Sequence, residues 1–207
     1  MGGSFDPIHF GHIKPSLELA QSCRLDKIIL LPCKVSPFKE HTYASSLHRW
    51  NMVSMIAANS DAFIADAREL ERAEPSYTVT TLTELSQEIG EQHKLFWILG
   101  ADALQDFSEW YQAEEIMRLA HVLVLARPGY ELPQDQAKRE WLEKYLCTDF
   151  DELEATDFGR IYQTGTQMLD ISSTRIRTMI GEGEQPKYMV PGGVWNYIKR
   201  NQLYMDH

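Results

Sequence analysis

Two histidines, His9 and His12, lie three residues apart near the start of the chain, in the run Gly-Gly-Ser-Phe-Asp-Pro-Ile-His-Phe-Gly-His. The glycines and the Asp6-Pro7 pair are typical of a tight turn, and Asp6 is expected to cap the helix that follows. Both imidazoles then share one helix face, beside N–H groups that have no acceptor within the helix. Gly11 has no side chain, so a phosphate could approach the backbone closely there. This turn is therefore a predicted anion site.

The same histidines could instead bind a metal ion, because His-x-x-His occurs in zinc sites. The sequence has no His-Glu-x-x-His, no cysteine close to the turn and no evident third ligand. Cys23, Cys33 and Cys147 form no Cys-x-x-Cys pair and are odd in number, which favours neither thiolate zinc nor disulfides. We predict no protein metal site, and zinc stays the alternative interpretation.

Three further cationic side chains are candidates for binding a phosphate. Arg127 follows an apolar strand, where its guanidinium could reach a phosphate, and Lys39 lies in a loop, where a lysine is otherwise most simply solvated. Arg177 lies in a helix that begins at Ser172 or Ser173, either of which is a good N-cap. There is no Gly-x-Ser-x-Gly motif and no cysteine among these residues. The pattern favours direct phosphoryl transfer, in which the protein supplies position and charge stabilisation.

Alternating apolar segments predict the elements that position these residues. Strands are predicted at 27–32, 62–66, 94–99, 121–126 and 159–164. Helices are predicted from 8–11 to 22, at 47–59, from 75–78 to 90, at 133–147, from 172 or 173 onward, and at 191–203. The charged runs 68–72 and 149–157 are interpreted as a solvated face and a solvated loop. The order predicts an α/β fold with a doubly wound parallel sheet and one domain over residues 1–207.

Composition limits the possible functions of the chain. Its 207 residues can bury a substantial core, and a hydrophobic content of 43% with 24% charged residues is ordinary for a globular protein. With 30 acidic and 20 basic residues the net charge is −10, which argues against nonspecific binding to nucleic acid or to an anionic membrane. The apolar runs are too short to cross a bilayer and no leader opens the chain. We expect a cytoplasmic protein without nucleic-acid or membrane partners.

Two motifs together resemble one enzyme family. The run at 2–12 resembles the Gly-Gly-x-Phe-Asp-Pro-x-His-x-Gly-His signature of bacterial nicotinate mononucleotide adenylyltransferases, members of the His-x-Gly-His nucleotidyltransferase superfamily. The run Ile-Ser-Ser-Thr-Arg-Ile-Arg at 171–177 resembles the second motif of that family, in the expected order and at the expected distance. The resemblance covers nearly the whole chain. It implies a Rossmann-like fold and the transfer of the adenylyl group of ATP to nicotinate mononucleotide, giving nicotinate adenine dinucleotide and pyrophosphate in NAD biosynthesis.

The resemblance also implies site residues. His9, His12 and Arg177 are expected to be catalytic. ATP is expected to bind at Gly2, Gly3, Ser4, Phe5, Gly11, Lys39, Gly100, Asp102, Ile171, Ser172, Ser173 and Thr174. Phe38 replaces the histidine of the family's Pro-x-His-Lys loop, while Lys39 keeps the cation. Asp102 follows the most apolar strand, where its carboxylate could accept hydrogen bonds from ribose hydroxyls. A magnesium ion is expected to accompany ATP, held mostly by phosphate oxygens and water.

A third group of residues is expected to bind the mononucleotide. The group comprises Tyr77, Thr78, Trp110, Tyr111 and Arg127. In the family the Trp-Tyr pair holds the nicotinate ring by stacking and a polar contact. Without the motifs, Trp110 and Tyr111 would more simply be packing residues. Thr78 or its neighbour Ser76 could also simply cap the following helix, which is compatible with a ligand contact.

Other functions stay possible at this point. Pantetheine-phosphate adenylyltransferases share the chemistry but are shorter and approach their first histidine differently. A module that senses ATP or a dinucleotide without chemistry is the alternative from another class, which the histidines and Arg177 disfavour. We favour the acid over the amide mononucleotide because the Trp-Tyr and Ser-Tyr-Thr stretches match the acid-using form. A monomer or a small homo-oligomer is expected.

The start of the chain departs from the family pattern. A short apolar strand normally leads into Gly-Gly, and here Met1 alone precedes Gly2. We therefore expect the first strand to be truncated in this sequence, which would affect stability more than chemistry.

Overall fold

The structure, a computed structural model, describes residues 1–34, 41–73, 75–90, 92–126 and 132–205. In the first half of the chain the elements are β1 (Gly2–Gly3), α1 (Phe10–Ser22), β2 (Ile28–Pro32), α2 (Ser46–Ala58), β3 (Phe63–Ala65), α3 (Arg68–Glu71) and α4 (Thr78–Ile89). The rest comprises β4 (Phe96–Gly100), α5 (Ala101–Leu104), α6 (Ala113–Leu119), β5 (His121–Ala126), α7 (Gln136–Glu143), β6 (Leu146–Cys147), α8 (Asp151–Ala155), β7 (Ile161–Gln167), α9 (Ser173–Gly181) and α10 (Gly192–Arg200).

The chain divides into two compact units. One, here called the histidine unit, contains Gly2–Ser76 and the chain from Leu169 onward. Its parallel sheet has the order β1-β2-β3, with Gly3 opposite Pro32 and Ile28 opposite Phe63. Helix α2 packs on β2 and β3, and α10 packs on α2. The single domain predicted over residues 1–207 stays a prediction.

The other unit, here called the aromatic unit, covers Tyr77–Met168. Its parallel sheet has the order β4-β5-β7-β6. Strand β5 is central and almost fully buried, which explains why its sequence, His-Val-Leu-Val-Leu-Ala, is nearly all apolar. Phe96 of β4 lies opposite His121 of β5, and the register continues to Gly100 opposite Leu125. Helix α4 packs against α6.

The predicted elements are largely confirmed. The helices α5 and α6 were not predicted, and three further predictions need correction. The helix predicted at 133–147 is shorter and is followed by the strand β6, which the sequence reading missed. The acidic run at 149–157 contains α8, because Leu153 is fully buried and anchors it. The charged run at 68–72 is not wholly solvated, since Glu69 in α3 is only 3% exposed. The predicted C-cap glycine of α4, Gly90, has the expected positive φ of 74°.

Candidate active site

His9 is the N-cap of α1 and has extended backbone angles, φ −148° and ψ 172°. Its N–H donates to Nδ1 of His12 at 3.3 Å. Because this nitrogen of His12 is the acceptor, a neutral His12 ring carries its proton on Nε2. Nε2–H is therefore the hydrogen-bond donor that His12 can direct at a ligand.

The His9 ring is stacked on His12, with ring centroids 3.7 Å apart and an angle of 24° between the planes. Phe5 approaches the His12 ring edge-on at 5.1 Å. His9 is only 4% exposed, and its burial lowers its pKa to about 4, so the ring is neutral at pH 7. Within the described part of the chain, His9 Nδ1 is buried without a hydrogen-bond partner. A buried polar atom without a partner is costly, so this nitrogen is a candidate ligand contact.

The burial of His9 predicts a pH-dependent stability. The pKa of the ring is about 4 in the folded chain and returns to 6.5 on unfolding. Its contribution to stability is therefore present above pH 6.5 and is lost as the pH falls toward 4, by at most about 1.4 kcal/mol per pH unit. We expect His9→Gln to reduce the drop in melting temperature between about pH 7.5 and about pH 5. The exposed His93 provides the control His93→Gln, which should keep the wild-type drop. An unchanged drop in His9→Gln would contradict the buried neutral ring.

The structure gives a different reason for a glycine at position 11 from the expected approach of a phosphate. A Cβ added there would lie 2.9 Å from the His9 ring and 2.9 Å from the carbonyl oxygen of Ile171. The missing side chain therefore makes room for the His9 ring and for the approach of the second motif. The start of α1 is also less open to an anion than expected, because the N–H of Phe10 donates to the carbonyl of Met189 at 2.8 Å.

This packing predicts a damaging effect of Gly11→Ala. One of the two close neighbours is backbone, so the added methyl group cannot be accommodated by a side-chain rotation alone. We expect a loss of about 1–3 kcal/mol in stability and a drop of several degrees in melting temperature, together with reduced activity. Gly193→Ala is the matched control, because an added Cβ there has no neighbour within 4 Å and Gly193 lies in α10. Its melting temperature should be unchanged or raised. Equal midpoints for Gly11→Ala and the wild type would contradict the assigned packing.

The second motif lies against the turn that precedes His9. Ser172 is the N-cap of α9 and accepts a hydrogen bond from the N–H of Arg175 at 3.2 Å, as predicted. Ser173 Oγ donates to the carbonyl of Pro7 at 3.0 Å. Arg177 donates from Nη1 to the carbonyl of Asp6 at 2.8 Å and from Nη2 to Thr174 Oγ1 at 3.3 Å. The structure thus brings the two motifs together, although Asp6 and Arg177 are 171 positions apart.

The expectation that Asp6 caps α1 is wrong. Its carboxylate, 4% exposed, instead accepts the N–H groups of Tyr43 at 2.7 Å and Ala44 at 3.0 Å. It also accepts the hydroxyl of Tyr204 at 2.7 Å. These distant donors satisfy the carboxylate in place of the helix N–H groups, and His9 takes the capping position.

Arg49 is a buried cation that the sequence reading missed. It is fully buried in α2 and donates to the carbonyls of Cys33 at 2.6 Å and Ser4 at 2.8 Å. It therefore fixes Ser4, a predicted ATP-binding residue, to the chain that leaves β2. Phe5, which follows, is 1% exposed and has a positive φ of 48°, an unfavourable conformation for a large side chain. The predicted ATP-binding loop at Gly2–Phe5 thus combines β1 with a tightly constrained turn.

The remaining predicted ATP-binding residues with described positions lie in the aromatic unit. Gly100 ends β4, and Asp102 lies exposed in the first turn of α5, at the carboxyl end of the strand as predicted. A Cβ at Gly100 would lie 3.0 Å from Met168 Sδ. The glycine therefore allows the Met168 side chain to lie close to the end of β4. Lys39 and Arg127 lie outside the residues that the structure describes.

The predicted mononucleotide-binding residues include an aromatic pair. The rings of Tyr77 and Tyr111 have centroids 4.7 Å apart, and Tyr111 is 56% exposed. Tyr77, rather than Ser76 or Thr78, is the N-cap of α4, and its side chain makes no capping hydrogen bond. Trp110 is half-buried and its ring lies edge-on to Phe107 at 5.0 Å. The aromatic unit therefore presents stacking surfaces suited to a flat heterocycle.

The described residues contain no group of three or more His, Cys, Asp and Glu side chains arranged to hold a metal ion. No helix among the same residues is long and apolar enough to span a membrane.

Comparisons with known proteins connect these features to one family. A family model described as cytidylyltransferase-like matches residues 1–179. The nicotinate-nucleotide adenylyltransferase of Salmonella typhimurium is 39% identical over 204 residues, covering 98% of this chain and 96% of that protein. A probable nicotinate-nucleotide adenylyltransferase of Cellvibrio japonicus is 37% identical over 203 residues, with the same coverage. The chain belongs to the nicotinate-nucleotide adenylyltransferase family.

A solved structure agrees in fold with this family assignment. The Plasmodium falciparum nicotinic acid mononucleotide adenylyltransferase complexed with NaAD matches with a TM-score of 0.69, covering 100% of this chain and 96% of that one. The sequence identity is 21%, so this likeness concerns the fold alone. The predicted α/β nucleotidyltransferase fold and the predicted family are confirmed.

The family signature explains which site residues the sequence could reveal. The two motifs of the adenylyltransferase family identify His9, His12 and Arg177, and these lie in one unit with the contacts given above. The sequence signal for Arg49 was weaker. Arg49 lies on the buried face of α2 with Met52, Val53 and Ile56, and an arginine is rarely buried without a partner. Tyr204 carried no signal of this kind. The individual roles of the predicted residues stay predictions.

Proposed function

We propose that the chain transfers the adenylyl group of ATP to nicotinate mononucleotide, giving nicotinate adenine dinucleotide and pyrophosphate in NAD biosynthesis. The observation that carries the proposal is the hydrogen-bonded contact between the two motifs. Arg177 is hydrogen-bonded to the turn that leads into the stacked pair His9 and His12. A cation, two imidazoles and the start of α9 in one unit form a donor set suited to a polyphosphate.

In the proposed reaction an oxygen of the mononucleotide 5′-phosphate attacks the α-phosphorus of ATP in line. A new P–O bond forms as the bond from the α-phosphorus to the bridging oxygen breaks, and that oxygen leaves with pyrophosphate and the bonding electron pair. No covalent intermediate with the protein is needed. The protein contributes position and stabilisation of the charge that moves onto the leaving oxygens.

The roles of the two histidines differ. His12 donates from Nε2 to the oxygens that gain charge, since its Nδ1 accepts from the N–H of His9. His9 acts as a neutral ring, because burial lowers its pKa to about 4. It orients His12 by stacking and offers a hydrogen bond, without contributing a positive charge.

Arg177 and the start of α9 bind the departing β- and γ-phosphates. The guanidinium is fixed at Asp6 and Thr174, and the N–H groups of the first turn of α9 add donors and a favourable dipole. Lys39 adds a further positive charge for the phosphates in this proposal. Mg²⁺ accompanies ATP and neutralises part of the phosphate charge, held mainly by phosphate oxygens and water.

The aromatic unit supplies the specificity for the mononucleotide in the proposal. Trp110 stacks on the pyridine ring, and Tyr111 adds a polar contact beside its partner Tyr77. Arg127 binds the mononucleotide, and Asp102 accepts hydrogen bonds from the ATP ribose.

Pyrophosphate release, measured with ATP and each mononucleotide side by side, tests the proposal. We expect release with nicotinate mononucleotide, slower release with the amide, and none with ATP alone. Tight binding of ATP without release under any of these conditions would favour a nucleotide-sensing module and contradict the proposal.

A further inference from the structure

Tyr204, near the end of the chain, reaches the turn before His9. Its hydroxyl donates to Asp6 Oδ1 at 2.7 Å, a contact between residues 198 positions apart. Tyr204 is 5% exposed and follows α10 with a positive φ of 64°. Burial and the neighbouring Asp6 carboxylate raise the pKa of Tyr204, so the phenol keeps its proton and remains the donor.

The Asp6 carboxylate links Tyr204 to a second segment. It accepts the N–H of Tyr43 at 2.7 Å and the N–H of Ala44 at 3.0 Å. Three donors from two distant parts of the chain thus meet at one buried carboxylate. A buried carboxylate that loses a donor must find a replacement or move, because its unmet hydrogen bonds are costly.

Arg177 contacts Asp6 and also Tyr43, one of the residues whose N–H the Asp6 carboxylate accepts. Its Nη1 donates to the Asp6 carbonyl at 2.8 Å, and its guanidinium lies 4.1 Å from the centre of the Tyr43 ring. Asp6 and Tyr43 thus both contact the Arg177 guanidinium and together fix its position. Any shift of Asp6 relative to Tyr43 changes the direction of the cation.

We propose that Tyr204 is a positioning residue for Arg177, which it fixes through the Asp6 carboxylate and the backbone of Tyr43. The inference rests on the proposed function, in which Arg177 binds the departing phosphates of ATP. The last segment of the chain is then part of the phosphate-binding apparatus, although Tyr204 itself touches no substrate. The competing interpretation is that Tyr204 only anchors the end of the chain.

Tyr204→Phe tests the proposal because it removes the hydroxyl and keeps the ring. We expect turnover to fall by roughly tenfold, since small misplacements of a catalytic group are costly. The affinity for nicotinate mononucleotide, measured by calorimetry, should stay unchanged. Tyr197→Phe is the matched control, because its hydroxyl also has partners, His48 and Asn51, and lies in the same part of the chain. That variant should keep wild-type turnover.

A double-mutant cycle with Arg177→Met separates positioning from anchoring. If Tyr204 acts through Arg177, Tyr204→Phe should change turnover little once Arg177 is replaced. Independent, multiplying effects would overturn the proposal, as would normal turnover in Tyr204→Phe. Wild-type turnover in Arg177→Met alone would overturn the role of Arg177 in the proposed function and this inference with it. A normal Arg177 effect without coupling would overturn the inference alone.

A second variant covers the case in which Tyr204→Phe does not fold. Asp6→Asn keeps the phenol but turns an amide N–H₂ toward one of the donors that the carboxylate accepted. It should reproduce the loss of turnover at unchanged mononucleotide affinity. Normal turnover in this variant would overturn the proposal.

Discussion

Replacing His12 by alanine is expected to reduce turnover by on the order of a hundredfold or more. In the proposed function the variant loses the Nε2 donor for the oxygens that gain charge in the transition state, and such preorganised donors contribute several kcal/mol. It also loses the acceptor for the N–H of His9, which contributes about 1 kcal/mol to stability. A steady-state measurement of pyrophosphate release checks the effect.

His12→Asn separates these two losses. The asparagine oxygen can replace Nδ1 as the acceptor for the His9 N–H, whereas its amide N–H₂ then lies near the place of the ring carbon Cδ2 and does not reach the place of Nε2. We expect a near-normal melting temperature with the same loss of turnover as in His12→Ala. His93→Ala, at an exposed histidine, serves as the control and should retain full activity. Near-normal turnover in a folded His12→Ala or His12→Asn protein would show that the donor role is wrong.

Trp110→Ala is expected to weaken the binding of nicotinate mononucleotide by roughly tenfold to a hundredfold, in line with about 1–3 kcal/mol for a stacked base. ATP binding should change little, because in the proposed function the stacking surface serves only the pyridine ring. Calorimetric titrations with each ligand measure the two affinities separately. Trp110→Phe, which keeps a smaller ring, should recover part of the affinity.

The aromatic unit offers a matched control for lost packing. Trp141 also lies edge-on to Phe107, at 5.8 Å, compared with 5.0 Å for Trp110. Trp141→Ala therefore removes a comparable ring contact and should lower stability without changing either affinity. Equal weakening of both ligands by Trp110→Ala would show that Trp110 is structural.

The sequence predicted best where the signal is local. The Ser172 cap of α9 and the glycine that ends α4 each follow from a few adjacent residues. The central strand β5 was predicted with its bounds because a fully buried strand is continuously apolar. The functional motifs were recognised for the same reason, since each is a short run of fixed spacing.

Tertiary contacts decided the residues that were predicted wrongly or missed. Asp6 is a good helix cap by its type, but the N–H groups of Tyr43 and Ala44 take its carboxylate. The acidic run at 149–157 has only three apolar residues, Phe150, Leu153 and Ala155, which is too weak a pattern to predict α8. The bond from Tyr204 to Asp6 joins residues 198 positions apart, and no local pattern encodes such a pairing.

In the proposed function the chain joins the adenylyl group of ATP to nicotinate mononucleotide. Mass spectrometry of the products, combined with quantified pyrophosphate, tests it most directly. We predict one nicotinate adenine dinucleotide and one pyrophosphate for each ATP consumed, with both products strongly reduced in His12→Asn. ATP consumed without dinucleotide, or no consumption of ATP in the presence of nicotinate mononucleotide and Mg²⁺, would contradict the account.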